Sequence, residues 1–238
     1  MFESLSLFKK PKTSRLSGEL SQLSKIYLNP LSSKKIKKAV EFADKAHEGQ
    51  FRKSGEPFLI HPINVGLTLA SLKMDADTII AGLLHDVVED CEISLPTVKK
   101  EFGKNVAALV DGMTKLLKLD DKLKDQSQAE YFQKMALATA SDVRVVIIKL
   151  ADRLHNLKTI EHLPREKQIK KAKETLDLYA PLAHQIGMHK MATDLEDYSF
   201  KTIHPIRHRL IIEALKKNDL NRKNLISKVK KTLNSKFK

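Results

Sequence analysis

The segment Ala81-Gly82-Leu83-Leu84-His85-Asp86-Val87-Val88-Glu89-Asp90 carries four titratable side chains at helical spacing. On a helix, neighbours such as His85 and Asp86 stand about 100° apart, a spread that lets both reach one ion in front of it. Glu89 and Asp90 follow at four-residue intervals, one turn further along the same edge. A helix that only fills a core gains little from such groups, because burying them without partners is costly. Their joint presence on one edge points to a shared partner, such as a bound metal ion, in place of a purely structural role.

Two other places offer matching ligands. Leu59-Ile60-His61-Pro62 sets a histidine before a proline at an expected helix start, and Lys149-Leu150-Ala151-Asp152 sets a carboxylate inside a buried-looking helix. Two imidazoles and two carboxylates suit a borderline-to-hard divalent cation with open positions, such as Mn, Fe or Co. Zinc fits too, with fewer open positions. Each residue alone has a plainer reading. His61 could cap a helix, and Asp152 could pair with Arg153 or Lys149. The remaining histidines, His155 among them, follow no tight ligand spacing and are read as structural.

The elements that must position these groups are helices. Apolar periodicity predicts them at 17–27, with Ser17 as N-cap, and at 34–47, 61–72, 76–89, 94–101 and 103–117. A polar, charged stretch over 119–128 is read as a mobile connection. Helical patterns resume at 129–140, 142–158, 166–186, 189–202, 204–217 and 222–235. The β-branched run Val143 to Ile148 could be a strand, but its continuation at helical spacing favours a buried helix. The expectation is all-α: one helical domain with a metal site between helices. Residues 1–16 are read as a flexible basic leader, 17–217 as the domain and 218–238 as a basic helical tail.

Composition narrows the class. The 238 residues include 42% hydrophobic and 30% charged side chains, with only eight Gly and eight Pro, a helical balance. A formal net charge of +14, from 43 Lys and Arg against 29 Asp and Glu, favours a polyanionic partner: nucleic acid, a nucleotide or an anionic membrane surface. The single cysteine, Cys91, excludes an intramolecular disulfide and any multi-cysteine metal site, which fits a reduced, cytoplasmic setting. The N-terminal stretch lacks the pattern of a secretory signal, and no apolar run is long enough to span a bilayer.

Longer words around these groups resemble a known family. His61, His85-Asp86 and Asp152 resemble the ligand set of the HD phosphohydrolase superfamily. The loop His47-Glu48-Gly49-Gln50-Phe51-Arg52-Lys53-Ser54-Gly55-Glu56-Pro57 resembles the one before the first metal histidine in the Rel/Spo alarmone hydrolases. Gly82 to Asp90, Asp111 to Leu116, Lys149 to Thr159, Tyr179 to His184 and Leu195 to Asp197 resemble further stretches of that family, in register over roughly residues 20–215. The resemblance implies a small-molecule guanine nucleotide as partner, not nucleic acid or a membrane. It implies hydrolysis of guanosine tetra- or pentaphosphate, (p)ppGpp, at the 3′ position to release pyrophosphate.

Carried over by residue, it puts Mn(II) on His61, His85, Asp86 and Asp152, and assigns Glu89 and Asp90 to the attacking water. Arg52 would lie against the guanine, Lys53 and Ser54 would make neighbouring contacts, and Asn156 and Thr159 would line the ribose and 3′-diphosphate side. Arg52 and Lys53 sit on a loop read as mobile; their plain reading is two solvated charges. No synthetase motif is present, so the chain resembles a stand-alone small alarmone hydrolase, or equally a hydrolase fragment of a longer protein. Departures from the pattern are Gln185 in place of an arginine, Tyr131-Phe132-Gln133 in place of a polar, basic triplet, and Cys91 in place of a threonine. Other functions considered are an HD phosphatase for another nucleotide such as NADPH, and a non-catalytic nucleotide- or nucleic-acid-binding module.

Overall fold

The computed structural model describes residues 10–123 and 142–216. Among these residues there is no strand, only an isolated bridge between Phe51 and Pro57. The described residues form α1 (Lys10–Lys25), α2 (Pro30–Ala46), α3 (Ile60–Ser71), α4 (Ala76–Leu84), α5 (Val87–Asp90), α6 (Leu95–Phe102), α7 (Lys104–Leu123), α8 (Arg144–Lys158), α9 (Arg165–Glu174), α10 (Ala180–Gln185) and α11 (His189–Ile203). A further helical stretch, α12, covers 205–216. The all-α expectation holds, and the β-branched run is helix, as read. No helix among the described residues is long and apolar enough to cross a membrane.

Helix α3 lies at the centre, packed on α1, α4 and α8, while α4 also meets α2 and α7. Ile63 and Leu69 of α3 and Ile79, Ile80, Leu83 and Leu84 of α4 are fully buried. Each such side chain contributes about 1.5–3 kcal/mol of transfer free energy. Gly82 permits this close crossing: a Cβ there would stand 2.4 Å from Leu69 Cδ1 and 3.3 Å from Val65 Cγ1. The residue one turn before His85 therefore sets how near the two ligand-bearing helices approach.

Several boundaries differ from the sequence reading. Ser17 is not an N-cap; it lies within α1, its Oγ donating to Thr13 O at 2.8 Å. Leu16 and Leu20 are buried in the core, so the second half of the expected leader, from Lys10, is helix. Helix α2 starts at Pro30, earlier than expected, because Asn29 caps it by accepting from Ser32 N at 2.8 Å and proline suits the first helical position. Helix α7 runs to Leu123, into the stretch read as a mobile connection. No Gly or Pro after Gly112 interrupts it there. The predicted helices at 129–140 and 222–235, the Tyr131-Phe132-Gln133 triplet and the tail from 218 lie outside the described residues.

The predicted helix over 166–186 contains a π-helical turn at Thr175–Tyr179 between α9 and α10. Arg153 anchors that turn. Its Nε donates to Thr175 Oγ1 at 2.8 Å, its Nη2 donates to Lys171 O at 2.8 Å and pairs with Glu174 at 3.1 Å, and its guanidinium lies over the Tyr179 ring. A π-turn inside a helix is often found at a functional site, and this one fastens the helix that carries Asp152 to its neighbour.

Asp75 caps α4, accepting from Thr78 N at 3.0 Å and Thr78 Oγ1 at 2.7 Å and pairing with Arg144 at 3.3 Å. Asp75→Ala is expected to cost about 1 kcal/mol of stability, read as a lower melting temperature near neutral pH. Burial opposes the Asp75 charge, but the bonds from Thr78 and Arg144 outweigh it and hold its carboxyl below the usual range. The cap's contribution is thus complete above the ordinary aspartate pKa of about 4 and fades as pH falls through the lower folded value. The gap between wild type and variant should narrow in acid.

Candidate metal centre

The pattern Ala76 to Glu89 reads as one helix, yet the chain breaks it where the chemistry sits. Helix α4 ends at Leu84, His85 is its C-cap, and Asp86 opens the single turn α5. Both Glu89 N and Asp90 N donate to Asp86 O, at 3.2 and 2.8 Å. The break turns His85 and Asp86 towards each other: His85 Nε2 lies 3.0 Å from Asp86 Oδ1.

Four elements send their ligands to one point. His61, in the first turn of α3, brings Nε2 to 3.3 Å from His85 Nε2 and 3.6 Å from Asp86 Oδ2. Asp152 of α8 brings Oδ1 to 3.2 Å from His61 Nε2 and 3.9 Å from His85 Nε2. Ligand atoms of His61, His85 and Asp86 all fall within 4.8 Å of one another. Asp152 joins this group through the two imidazoles. The expected quartet is therefore brought together.

The donor set fits a divalent cation. His85 Nδ1 lies 2.8 Å from Gly82 O, so its proton resides there and Nε2 is directed at the centre. Burial opposes a charge on His85, but Asp86 beside it outweighs burial and pushes its pKa up to about 9. Positive charge is thus favoured at this spot, and a metal ion would displace the proton that the charged ring carries on Nε2, leaving the one on Nδ1 with Gly82 O. Burial keeps His61 neutral, its pKa below the ordinary imidazole value. Burial also opposes the two carboxylate charges, yet His61 and Lys149 hold Asp152, and His85 holds Asp86, below the usual carboxylate range. Two ionised carboxylates and two imidazole nitrogens at one buried point match a transition-metal site with room for further ligands.

Glu89 and Asp90 are exposed at the rim. Partial burial, with the negative charge of Asp86 nearby, raises the pKa of both. The family resemblance implies that these two position and activate the attacking water, and a raised carboxylate pKa moves them towards a range useful for that.

Beside this converging cluster, which Asn156 of the cavity wall reaches through Asp152, lies a cavity of about 360 Å³ lined by Phe51, Arg52, Lys53, Ser54, Phe58, Asn156, Thr159, His162, Leu163 and Lys171. All five residues expected to meet substrate, Arg52, Lys53, Ser54, Asn156 and Thr159, are in its wall. A larger cavity of about 600 Å³, between α1 and α2, includes none of them and none of the metal-site residues. Proximity to the converging ligands, not size, identifies the smaller one as the substrate candidate.

The loop bearing Arg52 is more closely held than its glycines imply. Arg52 N donates to Glu56 O and Gly55 N to Arg52 O, both at 2.9 Å, with Gly55 at φ +78°, a conformation suited to glycine. Glu56 pairs with Lys12 of α1, and Arg52 itself reaches Asn156 Oδ1 at 2.7 Å and His155 Nδ1 at 3.1 Å. Neither the mobile-loop reading nor that of a solvated Arg52 holds, because this guanidinium is half-buried against α8.

Sequence reasoning left two residues out of the site: His155, and Lys149, which it named only as a plain partner of Asp152. His155, read as structural, lies 2.8 Å from His61 through the two Nδ1 atoms. Burial, with His61 and the Arg52 guanidinium alongside, lowers its pKa to about 3. Lys149 is buried, its Nζ 3.7 Å from Asp152 Oδ2. Both lie three residues from Asp152 on α8, so the (i, i+3) rule would have found them. The plain reading of Asp152 as a partner of Lys149 is thus true alongside the metal reading, while Arg153 points away to α9. Of the departures, Gln185 is exposed at the end of α10, and Cys91 Sγ lies 3.0 Å from His47 Nδ1.

Comparison with known proteins gives this geometry a setting. The chain is 45% identical over 210 residues to the bifunctional (p)ppGpp synthase/hydrolase SpoT of Escherichia coli strain K12, a match covering 88% of this chain and 30% of that protein. It is 42% identical over 214 residues to guanosine-3′,5′-bis(diphosphate) 3′-pyrophosphohydrolase of Vibrio cholerae serotype O1, covering 90% and 30%. It is 48% identical over 190 residues to a GTP pyrophosphokinase of Streptomyces coelicolor, covering 78% and 22%. The chain thus spans less than a third of these curated relatives. The HD domain family matches residues 39–189, a span that holds α3, α4 and α8 with all four converging ligands, and the chain belongs to that family.

Proposed function

We propose that the chain hydrolyses guanosine 3′-diphosphate 5′-di- or triphosphate at the 3′ position, giving GDP or GTP and pyrophosphate, with Mn(II) at its metal centre. The observation that carries this reading is the convergence of His61, His85, Asp86 and Asp152 beside the cavity walled by Arg52 and Asn156. Relatives at 42–45% identity bear the name of that pyrophosphohydrolase, which supports the choice of substrate. The hydrolytic unit is taken as residues 17–217 with α1 extending it forward.

His61, His85, Asp86 and Asp152 would hold a divalent ion, which would supply a lowered water pKa and neutralisation of phosphoryl charge. The chain's own groups do the rest. Glu89 and Asp90 orient the attacking water and accept its proton, a role for which their raised pKa values suit them. Arg52 stays charged at any working pH and offers a planar face to a guanine, with Lys53 and Ser54 beside it. Asn156 and Thr159 face the ribose and 3′-diphosphate. A cavity of about 360 Å³ suits part of a nucleotide, with the remaining phosphates towards solvent.

The test is product analysis with purified protein, Mn(II) and either ppGpp or NADPH. Pyrophosphate and GDP from ppGpp are expected. Orthophosphate from NADPH, with ppGpp untouched, would replace this reading by that of a different nucleotide phosphatase. Metal-independent nucleotide binding that weakens steeply with salt, without turnover, would leave a binding module.

A further inference from the structure

Arg52 occupies an unusual position for a substrate contact, since it holds two metal ligands through two intermediaries. A guanidinium only donates hydrogen bonds. Its Nη1 lies 3.1 Å from His155 Nδ1, so that nitrogen accepts and carries no proton. The same His155 Nδ1 lies 2.8 Å from His61 Nδ1. Two bare nitrogens at that distance would repel, so His61 Nδ1 must carry the proton and donate it. His61 Nε2 is then left bare, and it is the atom aimed at His85, Asp86 and Asp152.

The second arm runs through the neighbouring residue. Arg52 Nη2 donates to Asn156 Oδ1 at 2.7 Å, which fixes which end of the Asn156 amide faces it. The other end, Nδ2, donates to Asp152 Oδ1 at 2.6 Å. One donor on the substrate loop therefore orients an imidazole ligand through His155 and a carboxylate ligand through Asn156. The loop is braced for this by Lys12 of α1, which pairs with Glu56.

We propose that His155 is a positioning residue of the metal centre: Arg52 fixes its ring as an acceptor at Nδ1, and it in turn fixes His61 as a ligand through Nε2. This rests on the metal site of the proposed function but not on the choice of substrate. Outer groups that orient metal-bound histidines are commonly carboxylates or carbonyls. Here a second histidine takes that place, and a half-buried arginine selects its tautomer.

The experiment measures Mn(II) affinity without nucleotide, from the electron paramagnetic resonance signal of free Mn(II). It uses the full chain as wild type, His155→Leu, His155→Gln, Arg52→Met and the double variant Arg52→Met/His155→Leu. His155→Leu is expected to weaken Mn(II) binding by about ten- to a hundredfold. His155→Gln should recover most of the loss, because its amide oxygen can accept from both donors. Arg52→Met should weaken binding by itself, and the double variant should lose less than the two single losses combined, since both act on His61 through His155 while Arg52 also acts on Asp152 through Asn156.

Ring-nitrogen NMR of metal-free, histidine-labelled wild type should find the His61 proton on Nδ1. This readout does not depend on how any variant folds. Affinity of His155→Leu within about twofold of wild type at an unchanged melting temperature would overturn the proposal. So would a His61 proton on Nε2, or a folded His155→Gln no better than His155→Leu. A wild type that binds no Mn(II) would defeat the metal reading itself, whereas turnover on ppGpp bears on neither outcome.

Discussion

Asp152→Asn is expected to reduce hydrolysis by at least about a thousandfold, some 4 kcal/mol of transition-state stabilisation at 1.36 kcal/mol per factor of ten. The substitution keeps the side chain's volume and leaves an oxygen for the bond from Asn156 Nδ2. What it removes is the charge that faces His61 at 3.2 Å and His85 at 3.9 Å. Without that charge, the centre loses one of two anionic ligands. Metal affinity should fall with activity. The melting temperature of wild type should rise when Mn(II) is added, since a ligand that binds only the folded state stabilises it, and this rise should vanish in the variant. Comparable turnover, or an undiminished Mn(II)-induced rise, would show that Asp152 is a structural partner of Lys149 and no ligand.

Asp90→Asn and Glu89→Gln should behave differently. The loss of a positioned proton acceptor lowers the turnover number by about a hundred- to ten-thousandfold. Neither residue belongs to the converging quartet, so Mn(II) affinity should stay near that of wild type. The pH profile supplies the second signature. A base acts in its deprotonated form, so wild-type turnover rises with pH through the pKa of the essential carboxylate. In the metal-free chain burial and the Asp86 charge raise that pKa for both residues, whereas a cation bound at Asp86 would pull it back down, so the position of the acid limb is to be measured on the Mn(II)-loaded protein. The limb should disappear in whichever variant removes the true base. If both variants keep the wild-type profile and rate, the proton goes elsewhere.

The converging residues His61, His85, Asp86 and Asp152 were legible in the sequence because their chemistry is costly to place anywhere else. His85 and Asp86 on an apolar helix, or Asp152 within Val145 to Leu157, would each be an unpaired buried group without a common partner. What the sequence concealed was the break between α4 and α5, since every residue from Ala76 to Glu89 continues the apolar period. Turning His85 Nε2 to Asp86 Oδ1 is a tertiary effect, secured by the bond from His85 Nδ1 to Gly82 O. His155 and Lys149 escaped for another reason. A search for ligand spacing passes over groups that touch the ligands instead of the metal, although both stand one turn from Asp152.

The Arg52 loop shows the same limit. Two glycines and a proline read correctly as a break between helices, and Gly49 and Gly55 do adopt positive φ. Composition says nothing of where a guanidinium goes afterwards. Anchoring on His155 and Asn156, over a hundred residues away in sequence, depends on α8 running beside α3. Likewise α1 begins at Lys10, before the polar Ser17, because Leu16 and Leu20 bury against the core.

The most direct measurement follows metal-stripped protein with ppGpp by phosphorus NMR, before and after one equivalent of Mn(II). No change before addition, then appearance of pyrophosphate and GDP in equal amounts, is the expected result. Pyrophosphate release that persists in the stripped protein with chelator present, or none after Mn(II) has bound, would contradict a metal-dependent pyrophosphohydrolase built on His61, His85, Asp86 and Asp152.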